Sequence, residues 1–140
     1  CLEAYASAPA IARQAREALE SGAVSLLNDR CGGDRSRIDA AMIAEAARDG
    51  DRVATDVMYR AATLLGIAVA GLTNLLNPEM FVIGGGVVNA GDLIFDPIWE
   101  QIDRIAYKWS ASILKIVPAK LGDDAGIIGA ARNFVVERGG

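Results

Sequence analysis

The strongest chemical signal in the chain is the run of three glycines Gly84, Gly85 and Gly86, set directly after the apolar run Met80 to Ile83. Glycines at the carboxyl end of a buried strand let backbone come close to a phosphate or a nucleotide. A side chain would block that approach, and glycine tolerates positive φ. A dinucleotide fingerprint needs G-x-G-x-x-G between strand and helix, but position 89 is Asn89, so the third glycine is missing. A P-loop needs G-x-x-x-x-G-K-[ST]. Gly86 and Gly91 have that spacing, yet Asp92-Leu93 follows, so the phosphate-binding lysine is replaced by a repelling carboxylate. One nucleotide reading survives, a turn whose glycines give clearance for adenosine and need no lysine beside them. From the triplet alone, a tight strand-to-helix turn without a ligand stands level with it.

Other residues offer less. The pair Asp123-Asp124 invites a two-carboxylate mechanism, but Asp124 is better explained as the cap of a following helix. Cys1 and Cys31 form no CxxC pair and read as free thiols of a cytoplasmic protein. The chain has no histidine, so no Ser-His-Asp or Cys-His site can be assembled within it. The segment Cys31-Gly32-Gly33-Asp34 lies among charges of mixed sign and reads as a solvated loop.

The elements that position the glycines follow from spacing. Pro9 to Glu20 is a helix with Ile11, Ala15, Ala18 and Leu19 on one face and Gly22 as its stop. Ala23 to Asn28 makes a short helical turn. Asp39 caps a helix to about Arg48, and Gly50-Asp51 turns into the longest helix, Arg52 to Leu76. The second half of that helix is apolar nearly all round, which predicts burial on several sides. Its small residues Gly66, Ala68, Ala70 and Gly71 permit close contact. Asn77-Pro78 ends it. Met80 to Ile83 lacks polar alternation, which predicts a strand covered on both faces. Val87 to Gly91 reads as a loop, Asp92 to Phe95 as a short helix, and Asp96-Pro97 as the start of another reaching about Lys108. Ile113 to Pro118 is the second strand. A last helix runs from Ala125 to about Glu137, where Gly126 and Gly129 permit close packing, and the Gly139-Gly140 end is expected to fray.

At 140 residues, 52% of them apolar, the chain can bury one real core. A net charge of −4 argues against a nucleic-acid surface or a polybasic membrane patch in this segment. Ala61 to Leu76, 16 residues, falls short of the roughly 18 uncharged apolar residues of a membrane span. The chain opens on Cys1 rather than methionine and carries only two firm strands. Two strands do not make an independently stable sheet, so the sequence reads as a piece of a longer protein with further strands upstream.

Five segments, in order, carry a family resemblance. They are Cys1-Leu2-Glu3 with Ser7; Gly50-Asp51; Asn74-Leu75-Leu76-Asn77-Pro78-Glu79; Gly84-Gly85-Gly86-Val87 with Ala90-Gly91; and the stretch Leu121-Gly122-Asp123-Asp124-Ala125-Gly126-Ile127-Ile128-Gly129-Ala130-Ala131. Together they resemble the carboxyl-terminal half of the ROK family (repressors, open reading frames and kinases), on the side of the bacterial ATP-dependent glucokinases. The resemblance departs at Ser7-Ala8, where the family has Ser-Gly, and at Cys31, which has no family role.

The resemblance implies an α/β chain of the sugar-kinase/actin (ribonuclease H-like) fold, whose two lobes close over sugar and ATP. Residues 1–140 would be the carboxyl-terminal lobe, helix-rich with a partial sheet, without the amino-terminal lobe. It matches Glu3 to a glutamate that accepts hydrogen bonds from sugar hydroxyls, and Gly84, Gly85 and Gly86 to the border of adenosine and its phosphates. Asn89 lies just beyond them as a further candidate. Cys1 matches the last cysteine of a zinc motif whose histidine and two other cysteines would precede this chain, as would the catalytic aspartate. The implied activity is transfer of the ATP γ-phosphoryl to the glucose 6-hydroxyl, with Mg²⁺ and a structural Zn²⁺, in a cytoplasmic dimer or tetramer. The apolar residues Ile94, Phe95, Ile98 and Trp99 are candidates for a dimer contact or for core. Two other readings are a sugar-responsive repressor, whose DNA-binding segment would lie elsewhere, and a sugar-binding module without turnover.

Overall fold

The computed structural model describes residues 1–139. Gly139 closes the last helix, while Gly140 lies outside the described residues. Eight α-helices and two strands follow in order: α1 (Glu3–Ala6), α2 (Ala8–Glu20), α3 (Leu27–Arg30), α4 (Ala40–Arg48), α5 (Arg52–Leu76), β1 (Met80–Ile83), α6 (Asp92–Ile105), α7 (Lys108–Ile113), β2 (Lys115–Pro118) and α8 (Ala125–Gly139). Between β1 and α6 a five-residue 3-10 turn spans Gly86–Ala90.

Helix α5 is the spine. Its side chains Met58, Ala61, Ala62, Val69 and Ala70 are buried, with α2, α4 and above all α6 packed against it. Ile11, Ile43, Ile94, Ile98 and Ile102 complete the interior. At Gly66 the contact with α6 is so close that an added Cβ would lie 2.9 Å from the Ile98 Cα and 2.9 Å from the Gln101 Cβ. By length and composition α5 could cross a membrane, but its packing is that of a core helix, and its first turns carry Arg52, Asp56 and Arg60.

The helix starts follow the sequence. Ser7 Oγ accepts from the Ala10 amide, Asp39 Oδ1 from Met42 and Asp51 Oδ1 from Ala54. Asp51 is buried and its Oδ2 also accepts from the Leu26 amide at 2.6 Å, tying the loop before α3 to the start of α5. Asn77, at φ 47°, ends α5 in the left-handed conformation ahead of Pro78. The short helix expected over Ala23 to Asn28 forms instead as α3, starting four residues later and ending two later, with Ser25 Oγ accepting from the Leu27 amide.

Strands β1 and β2 pair in parallel with Met80 opposite Lys115 and Ile83 opposite Pro118. The pairing continues as the Ala119 amide donates to the Ile83 carbonyl at 2.8 Å. Several expectations are corrected here. Only one face of β1 is covered, by Phe81 and Ile83 packing on the core, while Met80 and Val82 are exposed. The second half of α5 is likewise not covered all round: Ile67, Leu72, Leu75 and Leu76 are exposed. The predicted break before Pro97 does not form. Asp92 to Phe95 and the rest make one helix, α6, with Pro97 inside it. Pro97, the sixth residue of α6, forgoes the backbone bond to the Leu93 carbonyl and crowds it, a cost that burial of Ile94 and Ile98 offsets. Ile113 ends α7 rather than beginning β2. Ile94 and Ile98 are wholly buried, so they are core rather than a dimer face. At Gly126 and Gly129 an added Cβ meets nothing within 4 Å, so the close packing expected along α8 is not made among the described residues.

Candidate nucleotide-binding turn

Strand β1 delivers the glycine triplet to its carboxyl end, where all three glycines are exposed. Of the three, the backbone requires glycine at Gly85 alone. Gly85 has φ 88° and ψ 169°, a region that only glycine occupies freely. Gly84 lies beside the second strand, with an added Cβ 3.5 Å from that of Ala119, an ordinary contact. At Gly86 an added Cβ meets nothing within 4 Å, and the backbone is free of positive φ. Packing inside the chain therefore does not call for glycine there.

The turn leans on α4. Between them is a recess of about 200 Å³ lined by Ala41, Ala44, Glu45 and Arg48 from α4 and by Gly86 and Asn89 from the turn. The floor is small and apolar, and Glu45 and Arg48 put one acceptor and one fork of donors at its rim. This volume is below the roughly 300 Å³ at which whole drug-sized ligands are enclosed. It suits one planar ring system, with the rest of the ligand running out over the glycine backbone. Arg48 also holds the turn: its Nη2 donates to the Asn89 carbonyl at 3.2 Å and to the Ala90 carbonyl at 3.1 Å.

A larger groove of about 820 Å³ opens between α5 and the start of α6. Size alone would favour it, but Asp92, Asp96 and Glu100 line it against a single cation, Arg48, and a net excess of carboxylate repels a polyphosphate. Tyr59 donates to Glu100 Oε2 across this groove at 2.9 Å. That bond, with the Glu100 charge, raises the Tyr59 hydroxyl above its ordinary value of 10.0. The smaller recess is the better nucleotide candidate.

The remaining sequence candidates lie apart from this turn. Glu3 is exposed in the first turn of α1, which packs on α2 and α5, whereas the glycine turn packs on α4 and α6. Cys1 is exposed beside it. Among the described residues no three His, Cys, Asp or Glu side chains gather as metal ligands. A closed zinc site needs four donors, of which Cys1 would be one. Cys31 is buried, its thiol turned to the Asn28 carbonyl at 3.4 Å. Asp124 immediately precedes α8, as a cap would. Sequence reasoning missed Ala41, Ala44, Glu45 and Arg48. They lie some forty residues before the turn, and periodicity marks them only as a helix face and its basic end.

Comparison with known proteins brings a ROK family model that matches residues 1–135. A glucokinase of Thermotoga maritima is 39% identical over 138 residues, covering 99% of this chain and 43% of that protein. A ROK family glucokinase from Streptomyces griseus, solved in complex with glucose and AMPPNP, superimposes with a TM-score of 0.76 at 37% identity, over 95% of this chain and 44% of that one. A ROK family transcriptional regulator, homolog of the E. coli MLC protein, superimposes with a TM-score of 0.80 at 33% identity, over 94% of this chain and 32% of that one. The chain thus spans less than half the length of these relatives.

Proposed function

The chain belongs to the ROK family, and on that premise we propose that it is the carboxyl-terminal, nucleotide-binding lobe of an ATP-dependent hexose kinase. The fold is that of a part of the sugar-kinase architecture, as its structural neighbours are. The observation that supports the reading best is the recess between α4 and the glycine turn. It joins a small apolar floor to a backbone that Gly85 and Gly86 keep open. Adenine would lie between Ala41 and Ala44 on one side and Gly86 and Asn89 on the other. The phosphates would then run along Gly84 and Gly85, where peptide N–H groups rather than a lysine meet them.

The chemical step would be a phosphoryl transfer from ATP to the glucose 6-hydroxyl. This chain's share of it is positioning. It fixes one end of ATP so that the γ-phosphoryl meets the hydroxyl in line. Glu3 would accept from sugar hydroxyls, since charge-assisted bonds of that kind are short and directional. The aspartate that takes the hydroxyl proton belongs to the other lobe. ATP would enter as its Mg²⁺ complex, in which the metal neutralises phosphate charge. Cys1 would be one zinc ligand of the longer protein, completed by residues preceding it. A cytoplasmic homo-oligomer is part of the same proposal.

The test is a coupled phosphorylation assay of the full-length parent over a panel of hexoses and N-acetylated sugars. ATP-dependent phosphorylation, best with glucose, is expected. A second reading, a sugar-responsive repressor, draws on the likeness to the MLC-type regulator. Sugar-dependent release of operator DNA without any phosphorylation would replace the kinase reading with it.

A further inference from the structure

We propose that Arg48 is a positioning residue that sets ATP affinity by clamping the glycine turn against α4; this rests on the kinase reading above. Three observations carry it. The turn Gly86–Ala90 hangs between two glycines in left-handed backbone, Gly85 at φ 88° and Gly91 at φ 62°. An added Cβ at either meets nothing within 4 Å, so packing does not fix these two joints; local backbone bonds do, the Gly85 carbonyl accepting from Val88 and the Gly91 carbonyl from Ile94 and Phe95. Glycine joints absorb φ/ψ change at little cost, and the segment between them can swing unless something ties it down. Hydrophobic anchorage is partial: Ala90 belongs to the core and Val87 packs against it, whereas Gly86 and Asn89 are exposed.

Arg48 supplies the tie. One nitrogen, Nη2, donates to the carbonyls of both Asn89 and Ala90, the last two residues of the turn. Those carbonyls are the ones a short helix leaves without partners of its own, and a guanidinium is the side chain best shaped to serve two acceptors at once. Among the described residues no carboxylate forms a salt bridge with Arg48, so no ion pair draws its Nη2 away from the turn. The same side chain lines the recess beside Glu45 and Gly86. Holding Asn89 and Ala90 therefore holds the wall against which adenine would lie.

The experiment uses the full-length parent and three proteins: wild type, Arg48→Met and Arg48→Lys. Methionine keeps an unbranched apolar stem and loses every donor. Loss of the clamp is expected to raise the KM for ATP roughly three- to tenfold, the equivalent of one modest hydrogen-bond network, while the KM for hexose stays at the wild-type value. Lysine, a compact ammonium, should restore part of the ATP affinity. Hydrogen–deuterium exchange of the peptide covering residues 84–91 should quicken in Arg48→Met even without nucleotide. An unchanged KM for ATP with unchanged exchange overturns the proposal, and so does an equal rise in both KM values, which marks a general structural loss. If the wild type neither binds ATP nor phosphorylates a hexose, the kinase reading fails and the claim about ATP affinity falls with it. The exchange rates then decide separately whether the clamp exists.

Discussion

Substituting alanine at Gly85 and at Gly86, one at a time, separates fold from function within two adjacent residues. Gly85 has φ 88° and ψ 169°. Alanine there is strained by about 1–3 kcal/mol, offset by up to about 1 kcal/mol because alanine loses less chain entropy on folding. The net expectation for Gly85→Ala is a loss of about 0–3 kcal/mol, with the turn displaced and ATP affinity reduced. Gly86 has neither constraint. Its φ is not positive and an added Cβ meets nothing within 4 Å. Gly86→Ala should therefore leave stability unchanged or raise it by roughly 0.4–1 kcal/mol. The added methyl nevertheless stands on the backbone that adenosine would approach, so the KM for ATP should rise at least about tenfold, a steric loss of about 1.4 kcal/mol or more. Urea denaturation gives the stabilities and steady-state kinetics of the full-length parent gives the KM values. A Gly86→Ala protein with wild-type stability and wild-type KM for ATP would refute the reasoning, because no ligand would then need that space.

Four further outcomes follow from the fold and the site. Gly66→Ala should destabilise by about 0–2 kcal/mol, since overpacking costs roughly 1–3 kcal/mol and helix propensity returns about 1 kcal/mol; a thermal melt that rises would mean α5 and α6 are not this close. Asp51→Ala removes a buried acceptor from two amides and should lower the urea midpoint by the equivalent of roughly 2–4 kcal/mol, with Asp51→Asn losing less. The hydroxyl of Tyr59 is held above 10.0 by Glu100; a raised value in the folded state stabilises below the unfolded value and is lost as pH rises through the folded one, so ultraviolet titration should show one late tyrosine that becomes ordinary in Glu100→Gln. The purified 140-residue chain should phosphorylate no hexose with ATP, and measurable turnover by it would place the catalytic aspartate inside this chain.

The elements that sequence reasoning found best are those with local causes. Asp39, Asp51 and Asn77-Pro78 set the limits of α4 and α5 through caps and a stop, and the chain follows them to the residue. Strand β1 was equally plain from four consecutive apolar residues. Failures came where the cause lies outside the segment. Full burial of β1 and of the second half of α5 was inferred from their apolar composition, but composition does not say how many neighbours a surface has within this chain. The glycines were legible as an opening in backbone. Their wall was not, because Ala41, Ala44 and Arg48 meet the turn through tertiary packing of α4, and nothing in their own spacing points there. Pro97 shows the reverse error, a strong local signal overridden because the bond it forgoes and the crowding it brings are outweighed by burial of Ile94 and Ile98.

The central claim, that α4 and the glycine turn form the nucleotide half of a sugar-kinase site, is tested most directly by a crystal structure of the full-length parent with a non-hydrolysable ATP analogue. The adenine is expected between Ala41 and Ala44 on one side and Gly86 and Asn89 on the other, with the phosphates over Gly84 and Gly85. An analogue bound instead in the acidic groove of Asp92, Asp96 and Glu100, or in contact with neither α4 nor the glycine turn, would contradict it.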